Sequence, residues 1–271
     1  MNESITRALS GIVYIVLLLA ATLYSPLSFA LLFGAFLIIA VLEFSRLANL
    51  DKTVPLGMAV IGFLLFGIKV NNEFYGNLLL NSAALFISIS LLIDLFKKGQ
   101  LVPRDKTAKL ARLTGYVIVP FILIIKLPFL TNTFNPYIII GMFILIWAND
   151  TFAYIVGKTI GKHKLFERIS PKKTIEGFVG GMVFTVIGAY ILGQSFYFTF
   201  LTPWQWMAFA AILVIFGTLG DLVESHLKRN AGVKDSGTIM PGHGGILDRL
   251  DSVLFAIPFL FLYYQILNYV S

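Results

Sequence analysis

Cysteine is absent from the 271 residues, which excludes disulfide bonds, thiolate metal sites and cysteine nucleophiles together. Charged side chains are scarce, at 13% of the chain, and only three residues are histidine. Apolar residues make up 58%, and the mean hydropathy of +0.85 is well above that of soluble globular domains. This composition predicts a polytopic integral membrane protein.

The apolar runs predict the number of membrane spans. A helix needs about 20 residues to cross roughly 30 Å of hydrocarbon. The sequence predicts an all-α fold with about nine transmembrane helices, centred on residues 7–24, 27–48, 56–71, 76–96, 113–131, 136–157, 174–195, 204–227 and 250–269. No small-residue cleavage pattern follows the first run, so we expect a span there rather than a signal peptide.

Basic residues are distributed unevenly between the two sides of this arrangement. With the N-terminus in the cytoplasm, all of the 21 lysines and arginines except Lys69 and Lys126 fall in cytoplasmic segments. Membrane topology and anionic head groups therefore explain the net charge of +7, and no nucleic-acid partner is expected. Polar residues lie mostly in the second half, which predicts a transmembrane scaffold at 1–135 and a catalytic region at 136–271 with its active site facing the cytoplasm.

Two polar segments interrupt or precede the sixth and seventh spans. Asn149 and Asp150 lie inside the sixth, where a carboxylate is costly unless it faces other helices, water or a cation. In SPKKTIEGFVGG, Lys172 and Lys173 precede a helix N-terminus, where backbone amides and ammonium groups suit phosphate. Glu176 could neutralise a lysine or reach a metal. A polar helix contact and a basic membrane anchor with a glycine packing face remain the alternatives.

Two further segments carry acids near the end of the chain. Four side chains share one face of the eighth span by their spacing: Asp221, Glu224, Ser225 and Lys228. A solvated helix end is the alternative to a metal and phosphate site there. In PGHGGILDRLDS, the glycines at 241–245 allow a tight turn whose amides approach a ligand, and the acids that follow are three residues apart, Asp248 and Asp251.

These residues together indicate a reaction on phosphate groups. Asp221 on one helix and Asp248 on another are predicted to hold magnesium, which prefers one or two carboxylates with substrate oxygens and water. His243 is either a general acid or base or a residue that shapes its loop. Carboxylates, cations and glycine turns at one membrane face suit phosphoryl or nucleotidyl transfer to a phospholipid or polyprenyl phosphate.

A longer pattern resembles a known family. The run SHLKRNAGVKDSGTIMPGHGGILDRLD is similar to the signature of CDP-diacylglycerol synthases, also called phosphatidate cytidylyltransferases. Its matching positions are Ser225, Lys228, Arg229, Lys234, Asp235, His243, Gly244, Gly245, Asp248, Arg249 and Asp251. The upstream segments NDTFAY at 149–154 and SPKKTIEG at 170–177 resemble the same family, so the similarity covers about residues 140–255.

This resemblance implies a reaction in which phosphatidate attacks CTP to give CDP-diacylglycerol and pyrophosphate. It implies that Asp221 and Asp248 bind Mg²⁺, with a possible monovalent cation such as K⁺ beside it. Asp251, Asn149 and Asp150 are further ligand or orienting candidates. The residues implied to bind the phosphates are Lys172, Lys173, Lys228, Arg229 and Arg249, and Thr174, Glu176, Ser225, Lys234, Gly244 and Gly245 complete the predicted substrate site. A homodimer in the inner (plasma) membrane of a bacterium is also implied.

Three other functions fit parts of this pattern. A polyprenol or phytol kinase would use similar groups but would transfer the γ-phosphoryl group to an alcohol. A CDP-alcohol phosphotransferase is disfavoured because the sequence contains no Asp-Gly pair. A transporter would place its polar residues nearer the midplane of the membrane, on broken helices, than at one face.

Overall fold

The computed structural model describes residues 3–68, 74–97, 105–131 and 133–270. Over these residues the predicted all-α architecture is confirmed. The α-helices are α1 Glu3–Tyr24, α2 Pro26–Leu47, α3 Thr53–Gly62, α4 Phe74–Phe96, α5 Lys106–Leu113, α6 Val119–Lys126, α7 Tyr137–Ile160, α8 Ile175–Leu192, α9 Pro203–Asn230 and α10 Leu247–Val270.

Eight helices of the described residues are long and apolar enough to cross a membrane, and they match eight of the nine predicted spans. One of them runs from Lys106 to Phe129 through α5, a π-helical turn and α6. It begins earlier than the predicted residue 113 because its basic first turns are helical as well. Pro120, which lacks an amide hydrogen, follows the π-helical turn Thr114–Ile118 and accounts for it.

The third predicted span, 56–71, corresponds to a shorter apolar helix, Thr53–Gly67. The predicted end of this span lies outside the described residues. So do three of the basic residues used to predict the topology, Lys69, Lys98 and Arg104.

Several helices begin where the sequence provides a strong capping residue. Ser25 and Ser28 form a reciprocal capping box at the start of α2, and Thr202 and Gln205 form another at the start of α9. A proline follows each cap at the first helical position, where its missing amide hydrogen costs nothing. These local signals explain why the predicted and observed starts agree closely.

A two-stranded antiparallel hairpin, which the sequence analysis did not predict, joins α7 to α8. It consists of β1 Lys164–Phe166 and β2 Ser170–Thr174. Lys164 pairs with Thr174 and Phe166 pairs with Ser170, with an irregularity in the register between the two pairs. The second strand carries Lys172 and Lys173 towards the start of α8.

The hairpin is seated on the C-terminal end of α4. Arg168 Nη2 donates a hydrogen bond to the carbonyl oxygen of Leu95 at 2.9 Å. Phe166 packs edge-on against Phe96, with ring centroids 6.0 Å apart. Because the last carbonyls of a helix carry partial negative charge, a guanidinium group is well placed there.

Contacts between distant segments bring several helix ends together at one end of the bundle. Ser10 Oγ near the start of α1 donates to the carbonyl oxygen of Pro241 at 3.0 Å. Near the end of α2, Arg46 Nη2 donates to the carbonyl oxygen of Ser236 at 2.9 Å. We call this end, which holds the hairpin and the loop 231–246, the polar end.

Because α2 and α4 both end at the polar end, the chain between them must return to the opposite end. The helix Thr53–Gly67 lies on that return path. The contacts therefore support nine crossings, although this helix is shorter than the other eight.

Candidate active site

Two of the cavities at the polar end contain most of the predicted site residues, and Asp150 of α7 lines both of them. The first has a volume of about 330 Å³, and its polar lining includes Asn149, Asp150, Lys158, Lys172, Lys173, Thr174 and Asp221. We call it the lysine cavity. The second, the loop cavity, has a volume of about 260 Å³, and its lining includes Tyr14, Trp147, Asp150, His243, Asp248, Arg249 and Asp251. The structure thus brings all four predicted polar segments to one place.

In the lysine cavity, a lysine from the hairpin meets an acid from α9. Lys173 Nζ forms an ion pair with Asp221 Oδ2, and Ser225 Oγ donates to Asp221 Oδ1 at 3.1 Å. Thr174 ends the hairpin and caps α8, since its Oγ1 accepts a hydrogen bond from the amide of Gly177 at 3.1 Å. The cap fixes the chain direction immediately after the two lysines.

The predicted polar face of α9 is confirmed around Lys228. Its Nζ forms an ion pair with Glu224 one turn earlier, and with Asp248 Oδ1 at 2.6 Å. The side chains of Glu224 and Asp248 are only 1% and 5% exposed. Buried carboxylates are costly without a paired cation, so Lys228 holds α9 and the start of α10 together electrostatically.

Asp248 accepts hydrogen bonds from three further donors through its second oxygen. Oδ2 accepts from the backbone amide of Ser236 at 2.8 Å, from Ser236 Oγ at 2.8 Å and from the amide of Gly245 at 2.7 Å. With Lys228 on Oδ1, both oxygens are fully engaged. This carboxylate is among the most firmly held polar groups of the site.

The backbone of the glycine-rich loop packs against the carboxylate of Asp248. Gly242 and Gly244 have φ of 77° and 86°, a region that favours glycine. A Cβ at Gly244 would lie 2.5 Å from Asp248 Oδ2, so the backbone approaches this carboxylate closely. We expected the loop amides to face a ligand, but the amide of Gly245 donates to Asp248 in this structure.

Glu43 of α2, which was not predicted as a site residue, accepts hydrogen bonds from the two backbone amides that follow Gly245. Its Oε1 accepts from the amide of Ile246 at 3.0 Å, and its Oε2 accepts from the amide of Leu247 at 2.8 Å. Ser236 Oγ lies 3.2 Å from Oε2. One signal could have revealed it, because a glutamate within the apolar second span is costly unless it has a dedicated role.

His243 lines the loop cavity and also contacts α1. Its Nδ1 lies 2.8 Å from Ser10 Oγ, within hydrogen-bond distance. Burial, followed by the positive charges of Arg249 and Arg7, lowers the pKa of His243 below its ordinary value. The contact with Ser10 favours the loop-shaping alternative over proton transfer.

Asp251 and Arg249 face the loop cavity at the start of α10. Asp251 is partly buried and accepts from the backbone amide of Ser252 at 2.6 Å. Arg249 is exposed. An exposed guanidinium beside partly buried carboxylates can bind a phosphate group from the open side of this cavity.

Six predicted substrate-binding residues are not among the described residues that line these two cavities: Glu176, Ser225, Arg229, Lys234, Gly244 and Gly245. Glu176 accepts from the amide of His163 at 3.2 Å and contacts its Nδ1 at 2.6 Å, so it closes the hairpin. Arg229 Nη1 donates to the carbonyl oxygen of Val233 at 3.1 Å. Arg229 in the last turn of α9 and Lys234 after its end are both exposed.

Within the described ranges, no group of three or more acidic or histidine side chains is arranged to hold a metal ion. The predicted ligands Asp221 and Asp248 each bind an ammonium group instead, from Lys173 and Lys228. The donor set nevertheless fits magnesium, which takes one or two carboxylates and draws its other ligands from substrate phosphates and water. A bound ion would have to displace both ammonium groups from these carboxylates.

Comparison with known proteins identifies the family. A model of the cytidylyltransferase family matches residues 5–267. The phosphatidate cytidylyltransferase of Staphylococcus haemolyticus (strain JCSC1435) is 50% identical over 131 residues, which are 48% of this chain and 50% of that protein. Those of Staphylococcus saprophyticus and Staphylococcus aureus (strain COL) are 48% and 49% identical over 130 and 131 residues, with the same shares.

The chain spans about half the length of the curated relatives it matches. The family match is far longer and extends over both predicted halves of the molecule. It confirms the resemblance that the motif between Ser225 and Asp251 indicated. The chain belongs to the cytidylyltransferase family.

Proposed function

We propose that this protein is a phosphatidate cytidylyltransferase, which transfers the cytidylyl group of CTP to phosphatidate and releases pyrophosphate. One observation carries the proposal: two cavities at the polar end share Asp150, and cationic side chains line each of them. Two adjoining sites for two anionic substrates are what a transfer between them requires. The relatives that bear this enzyme name support the same reaction.

Charge suggests which substrate each cavity binds. The lysine cavity has three ammonium groups, from Lys158, Lys172 and Lys173, and it suits the more highly charged triphosphate. The loop cavity has one guanidinium group, Arg249, beside apolar side chains such as Trp147. It suits the phosphate and glycerol of phosphatidate, whose acyl chains stay in the bilayer.

The chemistry needs no activated hydroxyl group. An oxygen of the phosphatidate phosphate forms a bond to the α-phosphorus of CTP, and the bond from that phosphorus to the bridging oxygen breaks. Pyrophosphate leaves with the bonding electrons. Lys172 and Lys173 bind the triphosphate and orient it, while Arg249 holds the attacking phosphate, so the chain contributes mainly position and positive charge.

Asp221 and Asp248 are the residues that would hold magnesium. When bound, the ion would neutralise charge on the phosphate oxygens. A monovalent cation such as K⁺ beside it, and a homodimer, belong to the proposal through the family resemblance. The same holds for a location in a bacterial plasma membrane with the polar end in the cytoplasm, which the distribution of basic residues supports.

The direct test incubates purified protein with phosphatidate and α-labelled CTP, with and without magnesium, and then extracts the lipid. We expect magnesium-dependent label in the lipid phase and an equal amount of released pyrophosphate. Chelation of magnesium should abolish the transfer, and its return should restore it.

Other outcomes of this test would contradict the proposal in distinguishable ways. If the label stayed in water as CDP while an added polyprenol became phosphorylated, the protein would be a kinase. If CTP were not consumed under any condition, a transport function would replace the enzymatic one.

A further inference from the structure

Glu43 is a buried acid in the half of the chain that was predicted to be scaffold. It lies in α2 and is only 7% exposed. Its hydrogen-bond donors are the backbone amides of Ile246 and Leu247 at the start of α10, and Ser236 Oγ lies 3.2 Å from its Oε2. Arg46, one turn later on the same helix, donates to the backbone of Ser236 instead. A carboxylate buried among neutral donors is held by geometry rather than by an ion pair.

The backbone around Glu43 leaves no room for a side chain. A Cβ added to Gly245 would lie 2.5 Å from both Oε2 and Cδ of Glu43. One added to Gly237 would lie 2.8 Å from Cδ. Neither glycine has positive φ, so the carboxylate, and not the backbone conformation, explains why glycine is needed at these two positions.

The groups that hold Glu43 also hold Asp248. Ser236 Oγ contacts both carboxylates, at 3.2 Å from Glu43 and 2.8 Å from Asp248. The amide of Gly245 donates to Asp248, and the next two amides along the chain donate to Glu43. A shift of Glu43 therefore moves the donors that orient Asp248.

We propose that Glu43 is a positioning residue for the reaction: it clamps the loop before α10 and thereby fixes the orientation of Asp248. This inference rests on the proposed function for its effect on turnover. It assigns the second helix a direct part in shaping the site, although Glu43 lines a separate cavity with Arg46 and Gly237 and not the lysine cavity or the loop cavity.

The first test is Glu43→Gln, which keeps the shape of the side chain. An amide has one oxygen where the carboxylate has two, so its NH₂ group must face a backbone N–H donor. We expect kcat to fall by about 10-fold or more, with KM for CTP and for phosphatidate within about threefold of wild type, because Glu43 lines neither of the cavities proposed to bind them. The control is Thr185→Val. The hydroxyl group that it removes is buried and, unlike the carboxylate of Glu43, has no hydrogen-bond partner among the described residues. This variant should keep wild-type kcat.

The second test is a cycle of Gly245→Ala, Glu43→Ala and the double variant. The alanine methyl group collides with Glu43 in the wild-type background, so Gly245→Ala should lower kcat by about 10-fold and should lower the unfolding temperature in detergent. In the Glu43→Ala background the space is vacant, and the same substitution should change kcat less than about twofold and leave the unfolding temperature unchanged.

Two results would overturn the positioning role. One is a Glu43→Gln enzyme with wild-type kcat, and the other is a Gly245→Ala effect of equal size in both backgrounds, which would assign the glycine to ligand contact. If wild-type protein did not consume CTP, the proposed function would fail, and with it the effect on turnover. The unfolding temperatures would still report whether Glu43 clamps the loop.

Discussion

At the scale of single residues, Asp248 joins more partners than any other predicted site residue, since Lys228, Ser236 and Gly245 all donate to it. We expect Asp248→Asn to lower turnover by at least ~10²-fold, the scale seen when one preorganised charge-stabilising group is lost. The asparagine keeps the shape of the side chain but presents an NH₂ group to Lys228 or to the backbone donors.

The measurement for this variant is kcat with CTP and phosphatidate, beside the unfolding temperature in the same detergent. A folded but inactive protein supports the assignment. Activity within a few-fold of wild type would remove Asp248 from the metal site.

His243 gives a prediction about acid stability. Its lowered pKa means that the folded protein binds a proton less readily than the unfolded chain. The free energy of unfolding should therefore decrease as the pH falls from the ordinary histidine value of about 6.5 towards the lowered one. His243→Asn, whose amide can replace Nδ1 in the contact with Ser10, cannot titrate.

Unfolding temperatures of both proteins, measured from pH 7.5 to pH 5, test this expectation. The variant should lose less stability than wild type over that interval. Identical curves would mean that His243 titrates normally in the folded state.

Spacing along one helix predicted part of the site, and contacts between distant segments account for what was missed. Asp221, Ser225 and Lys228 were placed on one face of α9 by their intervals, and the structure confirms that face. Glu43 lies about 200 residues from the amides that it accepts from, and no local pattern encodes such a pairing. Its position inside an apolar span was the available signal.

At the scale of elements, α7 and α8 cross closely at glycines, and this contact can be tested. A Cβ at Gly181 would lie 2.6 Å from Asn149 Oδ1 and 3.0 Å from the Cβ of Ala153. We expect Gly181→Ala to push α8 away from α7, to cost about 1–3 kcal/mol of stability by overpacking, and to lower turnover through Asn149.

Gly188→Ala on the same helix is the matched control, because no heavy atom lies within 4 Å of the added carbon. Its unfolding temperature should equal or exceed that of wild type, since alanine favours a helix more than glycine does. Equal losses in the two variants would show that the close contact at Gly181 is not the cause of the lost stability.

Helix positions were predicted well because apolar length and capping residues are local properties. The hairpin before α8 was missed because its strands are short and have no clear apolar alternation, so no local pattern indicated them. The contacts of Arg168 with Leu95 and of Phe166 with Phe96 hold it in place, and these depend on where α4 ends in space.

At the scale of the whole molecule, the absence of cysteine allows the orientation to be measured directly. Lys164→Cys lies on the hairpin, and Gln194→Cys lies in the connection between α8 and α9 at the opposite end of the bundle; both positions are exposed. If the polar end faces the cytoplasm, a membrane-impermeant maleimide should label Gln194→Cys in intact cells. It should label Lys164→Cys only after the membrane is opened.

The cysteine-free wild-type protein provides the background for this experiment, because it should take no label. The reverse pattern would invert the topology and would place the proposed CTP site outside the cell.

The short helix Thr53–Gly67 has a consequence for the surrounding lipid. Its ~15 described residues cover about 22 Å at 1.5 Å per residue, against roughly 30 Å of hydrocarbon. A crossing limited to these residues would create hydrophobic mismatch, which a bilayer relieves by thinning locally. Since α3 is the next helix after α2, which carries Glu43, we expect turnover to depend on the acyl-chain length of the host membrane.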